Sequence, residues 1–281
     1  MGYFLSYFMQ VLFCTCVPLL ALGLIGWLCR RLFVSLVGEW SGRPILIGAF
    51  ALSTPLREVG HAVVAILFWH RVSDVCFLNL HDPNGELGYV EHSYNPRNPI
   101  ALLGNFFYAL APLLVGLLVI FAIFTLCFGN VMHEFFAQIA LLQEQGGGFA
   151  DYAERAVGLI PAMLHAPAAV GLKILGFALL LLLCMGLFVT VQDLLDGFSG
   201  LLLYAALAAV CTGALMLFDA RVQGMALHVL RGFATAVTAL GSAVLLALGA
   251  LLLIALLFRL WHLLFDKAET GNALVRYDGD K

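Results

Sequence analysis

Three side chains in one apolar stretch could do chemistry together: Arg57, Glu58 and His61, in the run Arg57-Glu58-Val59-Gly60-His61. On a helix, positions 57 and 61 share a face, and 58 and 61 are neighbours three apart. A carboxylate there can act as a general base, and an imidazole can carry a proton or hold a metal. The guanidinium of Arg57 stays protonated and has no lone pair for a metal. A second acidic pair, Asp193 and Asp196, stands in the run Asp193-Leu194-Leu195-Asp196-Gly197 between two apolar stretches. Each charge at membrane depth costs about 2.5–3.5 kcal/mol on insertion scales. These five residues therefore require a function or a set of partners.

The elements that must position them are read from hydropathy. Of 281 residues, 63% are hydrophobic and only 11% charged, with a mean hydropathy of +1.00. Soluble domains carry roughly a quarter charged residues, so this chain lacks the polar surface to coat a water-soluble globule. A net charge of −3 provides no basic field for nucleic acid. Apolar runs long enough to span a bilayer fall at 9–29, 45–69, 100–129, 174–192, 197–218 and 234–258. The second holds Arg57, Glu58 and His61. The third holds Asn105 and Pro112. The fourth and fifth are separated by a short link with the two aspartates. The expected fold is an all-α polytopic membrane protein of about six transmembrane helices, forming one membrane domain over 1–281 and ending in a charged tail over 259–281.

Between the second and third spans the texture changes. Residues 72–80 and 88–94 mix β-branched and polar side chains, and Asp82-Pro83-Asn84-Gly85 between them is turn chemistry. This predicts a small β-hairpin insertion over 72–94, covered by protein or seated at the interface, because open strand edges cannot face lipid tails. Residues 131–142 read as an interfacial amphipathic helix, 145–150 as a flexible break, and 158–167, bracketed by Pro161 and Pro167, as a re-entrant or interfacial segment. The seven cysteines form no CxxC pair and read as small buried hydrophobes. The N-terminus carries no charged n-region, so its apolar run is expected to remain as a span. His70, His133, His165, His228 and His262 lie near span boundaries and read as interfacial.

A zinc-peptidase helix reads His-Glu-x-x-His, in which the two histidines ligate the metal and the glutamate activates metal-bound water. Residues 57–61 keep the glutamate and the second histidine and place Arg57 at the first. The order of REVGH at 57–61, the hairpin at 72–94, GNFFYALAP at 104–112 and DLLDG at 193–197 resembles the site-2-protease-like intramembrane zinc metalloproteases, over roughly residues 45–218. The resemblance implies Glu58 as the catalytic base, His61 as a metal ligand, and Asp196, in Leu-Asp-Gly, or Asp193 as a further ligand. It also places Asn105 near substrate. His92, on the second hairpin strand, would contact a bound segment or, like His81, lend a ligand to zinc. Arg57 would instead supply positive charge where the metal sits and leave a metal-free core. Three readings follow. The first is a non-catalytic relative that binds transmembrane or juxtamembrane peptide segments within the lipid bilayer. The second is an active zinc metalloprotease with an atypical metal site. The third, from a different class, is a small transporter or membrane scaffold.

Overall fold

The computed structural model describes residues 2–79 and 87–277, with side chains for 2–37, 47–79 and 87–264. The chain runs α1 (Gly2–Phe50), α2 (Ser53–Leu67), β1 (Arg71–Cys76), β2 (Tyr89–Ser93), α3 (Pro99–Phe128), α4 (Val131–Gln145), α5 (Phe149–His165), α6 (Val170–Cys184), α7 (Val191–Leu215) and α8 (Ala220–Tyr277). Four segments are long and apolar enough to cross a membrane: Gly2–Val37, Pro99–Phe128, Val191–Leu215 and Ala220–Leu264. Helix α3 is the centre of the bundle and packs against α2, α6 and α7, while α1 lies along α8. Many of its apolar residues are buried, among them Leu110, Leu113, Ile120 and Phe124, while Leu118 and Leu126 face outward. A helix apolar all round must be enclosed in this way or face lipid.

Several boundaries differ from the expected ones. Helix α1 does not stop where the first apolar run ends at 29 but continues through Arg30-Arg31 to Phe50. The aspartates expected in a link lie within α7, because Thr190 and Asp193 form a capping box. The Thr190 hydroxyl accepts from the Asp193 N–H at 3.0 Å, and the Asp193 carboxylate accepts from the Thr190 N–H at 2.9 Å. Two of the orphan donors at a helix start are thereby satisfied. Residues 158–167 are largely the second half of α5, which contains Pro161. The expected charged tail from 259 is, as far as 277, a continuation of α8.

The stretch expected as a fourth span, 174–192, is divided. Helix α6 ends at Cys184, and Met185–Val189 run as buried irregular backbone into the cap of α7. Such backbone at membrane depth is tolerated only when enclosed by protein. Here α1 encloses it: the Val189 N–H donates to the Gly23 carbonyl at 3.3 Å. A Cβ on Gly26 would collide with the Leu187 carbonyl oxygen, so only glycine admits this approach.

Strands β1 and β2 pair antiparallel, from Arg71 opposite Ser93 to Cys76 opposite Tyr89, with a bulge between Val72 and Asp74. The turn residues of the expected hairpin, with His81, lie outside the described residues. Helix α2 enters β1 through a left-handed cap at Trp69 (φ 61°). The His70 N–H donates to the Ala65 carbonyl at 2.8 Å and the Trp69 N–H to Ile66 at 3.1 Å. This bonding is the Schellman arrangement, with a bulky residue where glycine is usual. The sharp reversal directs His70 inward. Expected as interfacial, His70 is instead buried and bonded to the Ala101 carbonyl at 2.8 Å.

Candidate functional site

Arg57, Glu58 and His61 project from α2 toward α3 and the start of α7. Gly60 sets the spacing, since a Cβ there would stand 3.1 Å from the Ala111 carbonyl oxygen of α3. The Arg57 guanidinium donates to Glu58 Oε1 at 2.7 Å and to Asp193 Oδ2 at 3.0 Å. The side chains of Arg57, Glu58 and Asp193 retain only 17%, 3% and 13% of their exposure, so these are enclosed, charge-assisted bonds. One cation thus joins two elements 136 residues apart in sequence.

His61 is buried, with its ring 4.4 Å from that of Tyr108 and its Nδ1 without a hydrogen-bond partner. It lies beside the Tyr108 backbone carbonyl. Pro112, four residues on, has no N–H to give that carbonyl, so it is a free acceptor inside the helix. Pro112 thereby acquires a local role beyond shaping α3.

These residues line a cavity of about 470 Å³, together with Arg30 of α1, Ser53 and Thr54 of α2, Gly88–Val90 of the hairpin, Tyr108, Gly186 and Phe188. Asp193 lines it; Asp196, Asn105 and His92 do not. Asp196 is exposed and accepts from Gln192 at 3.0 Å. Asn105 is buried and donates to Ser199 of α7 at 3.4 Å, a helix–helix bond. The His92 ring lies between that of His70, stacked at 5.0 Å, and that of Tyr108, tilted at 4.1 Å. Its basicity is lowered, first by burial and then by the neighbouring His70.

Arg30 and Phe188 are the participants that sequence reading did not assign. The Arg30 guanidinium carbon lies 4.3 Å from the centre of the Phe188 ring and 4.7 Å from that of Phe50. The Arg57 guanidinium reaches the same Phe188 ring at 5.1 Å. The one available signal for Arg30 was a charge closing an apolar run, which is also what a membrane boundary looks like.

Zinc fits this arrangement poorly. Among the described residues no three His, Cys, Asp or Glu side chains group closely enough to hold a metal ion. Glu58 and Asp193, the carboxylates that line the cavity with His61, are already bonded to Arg57. A catalytic zinc needs three protein ligands and an open position, and a guanidinium can be none of them.

Comparisons with protein families, with curated proteins and with solved structures gave no match for this chain.

Proposed function

We propose that the chain is an integral membrane protein with six membrane-embedded helices, a non-catalytic relative of the site-2-protease-like proteins that holds an extended segment of another membrane protein without cutting it. Helices α1, α3, α7 and α8 span. Helices α2 and α6, each 15 residues and so about 22 Å long, stop short of a full crossing; α2 and the residues just after α6, Met185 and Gly186, line the cavity. The observation that carries this reading is the Arg57 guanidinium bonded to both Glu58 and Asp193. It places a permanent cation against the carboxylates that would otherwise activate water or bind metal.

The binding half of the proposal rests on the hairpin. Strand β2 has one described neighbour, β1, and residues 88–90 form a wall of the cavity. A strand edge beside a cavity can accept an extended peptide by main-chain bonding, with the cavity receiving a side chain or a turn. On this reading Glu58 has no catalytic role, because Arg57 holds it as an ion-pair partner.

The test uses purified protein in detergent with an uncharged, fluorophore-labelled ten-residue peptide of alternating Val and Thr, blocked at both ends. The natural chain is expected to bind it, leave it uncut and carry no stoichiometric zinc, whereas Arg57→His is expected to gain zinc. Cleavage that disappears in Glu58→Gln, or one zinc per natural chain lost in His61→Ala, would restore the enzyme reading. An absence of peptide binding would remove the binding function.

A further inference from the structure

The charges around the cavity are balanced in number but not in bonding. Arg30 and Arg57 are cationic, Glu58 and Asp193 anionic, and all four line the same space. Both carboxylates are taken by Arg57. Among the described residues Arg30 makes no hydrogen bond and no ion pair. Its guanidinium packs on the rings of Phe50 and Phe188 and lies within electrostatic range of Glu58 and Arg57 without bonding to either. Ring contacts stabilise the positive charge but give its N–H donors no acceptor. Arg57 Nε, buried beside it on the cavity wall, is also without a partner.

A cavity with unmet donors and no excess charge is matched to a neutral acceptor. A carboxylate or phosphate would satisfy the N–H groups but leave a net negative charge beside the largely buried side chains of Glu58 and Asp193, where uncompensated charge is expensive. A backbone carbonyl satisfies the same donors without that penalty. Resting on the binding reading above, we infer that Arg30, assisted by Arg57 Nε, is the carbonyl clamp of the site. It fixes the main chain of a segment lying along β2 by bonding one or two of its peptide oxygens. Phe50 and Phe188 hold the guanidinium in place before binding, which reduces the side-chain ordering that binding would otherwise require.

Two consequences separate this clamp from an anion site. Because a backbone carbonyl is common to all peptides, binding is sequence-tolerant. Because the ligand group is neutral, adding an acidic residue gives no advantage. The experiment measures anisotropy of the Val-Thr peptide, and of the same peptide with one central Thr replaced by Glu, against the natural chain, Arg30→Lys and Arg30→Met. Melting temperature in the same detergent checks that each variant is folded. Hydrogen bonds to a charged group are worth about 1.5–3 kcal/mol, so Arg30→Met is expected to weaken the uncharged peptide by about tenfold to a hundredfold. Arg30→Lys keeps the charge and its ring contacts but loses the fork of donors. It should fall between the two, and it remains informative if Arg30→Met does not fold. Equal affinity for the uncharged peptide in the natural chain and a folded Arg30 variant would overturn the clamp while leaving the binding function intact. A Glu peptide bound at least tenfold more tightly, with the preference lost in Arg30→Met, would also overturn it, making Arg30 a carboxylate site. Failure of the natural chain to bind either peptide would refute the binding reading and this inference with it.

Discussion

Replacing Arg57 with methionine removes the cation and keeps a similar apolar stem. Glu58 and Asp193 then share an enclosed site with no directly bonded positive charge. Breaking a buried pair by removing one partner typically costs about 3–5 kcal/mol, because the abandoned charge stays desolvated. A ceiling follows from the alternative open to the variant, which is to take up a proton. Protonating a carboxylate of ordinary value near 4.3 at pH 7 costs about 1.36 kcal/mol per pH unit over some 2.7 units, or about 3.7 kcal/mol. Both routes give a loss of about 3–4 kcal/mol at pH 7 for the first carboxylate.

The proton route adds a signature that simple loss of packing would lack. If the native variant carries one more proton than its unfolded chain, its stability rises as pH falls, by about 1.4 kcal/mol per unit. The deficit relative to the natural chain should therefore shrink from pH 7 toward pH 5. The double variant Arg57→Met/Asp193→Asn should be less damaged than the sum of its parts, since the amide removes one abandoned charge. The amide oxygen can still accept from Thr190 and so preserve the cap. The assay is reversible denaturant unfolding in mixed micelles with a chelator present, read by tryptophan fluorescence at pH 5, 6 and 7. A change below about 0.5 kcal/mol for Arg57→Met at pH 7 would place it with ordinary surface substitutions and refute the argument that Arg57 is the structural countercharge. So would a deficit that does not move with pH.

Two further outcomes test the surroundings. His92 faces His70, Tyr108 and the more distant Asp196, and its proton affinity is lowered by burial and by His70. The unfolded chain then binds a proton below about pH 6.5 before the native hairpin does, so His92 withdraws stability as pH falls below that value. The difference between the natural chain and His92→Gln, measured by unfolding from pH 7.5 to 5, should narrow or reverse toward low pH; a difference constant with pH would contradict the burial of this ring. Gly26→Ala places a methyl group against the Leu187 carbonyl. It should destabilise the fold by about 1–3 kcal/mol, the usual range for overpacking, and an unchanged midpoint would mean that α1 and residues 185–189 are not in contact.

How much could be read in advance depended on whether the signal was local. The two hairpin strands were visible because alternation and turn residues lie within a few positions of each other. Arg57, Glu58, His61 and Asp193 were visible because a charge in an apolar run stands out wherever its partner lies. The end of α6 at Cys184 was not visible, since hydropathy continues unbroken through Val189 and carries no information about backbone hydrogen bonding. The start of α7 is written in the sequence as Thr190-x-x-Asp193, a capping box, but the same aspartate draws attention there as a charge beside an apolar stretch and as a candidate metal ligand. Arg30 was the hardest case. Its meaning depends on Phe188, 158 positions away, and an arginine closing an apolar run has an adequate local explanation at the membrane surface. A sequence thus reports which charges are costly to bury, whereas their compensation is a tertiary property. Of the two arginines lining the cavity, Arg30 is bonded to no acceptor among the described residues, and it is for that reason the residue on which a ligand's contribution to this cavity can be measured.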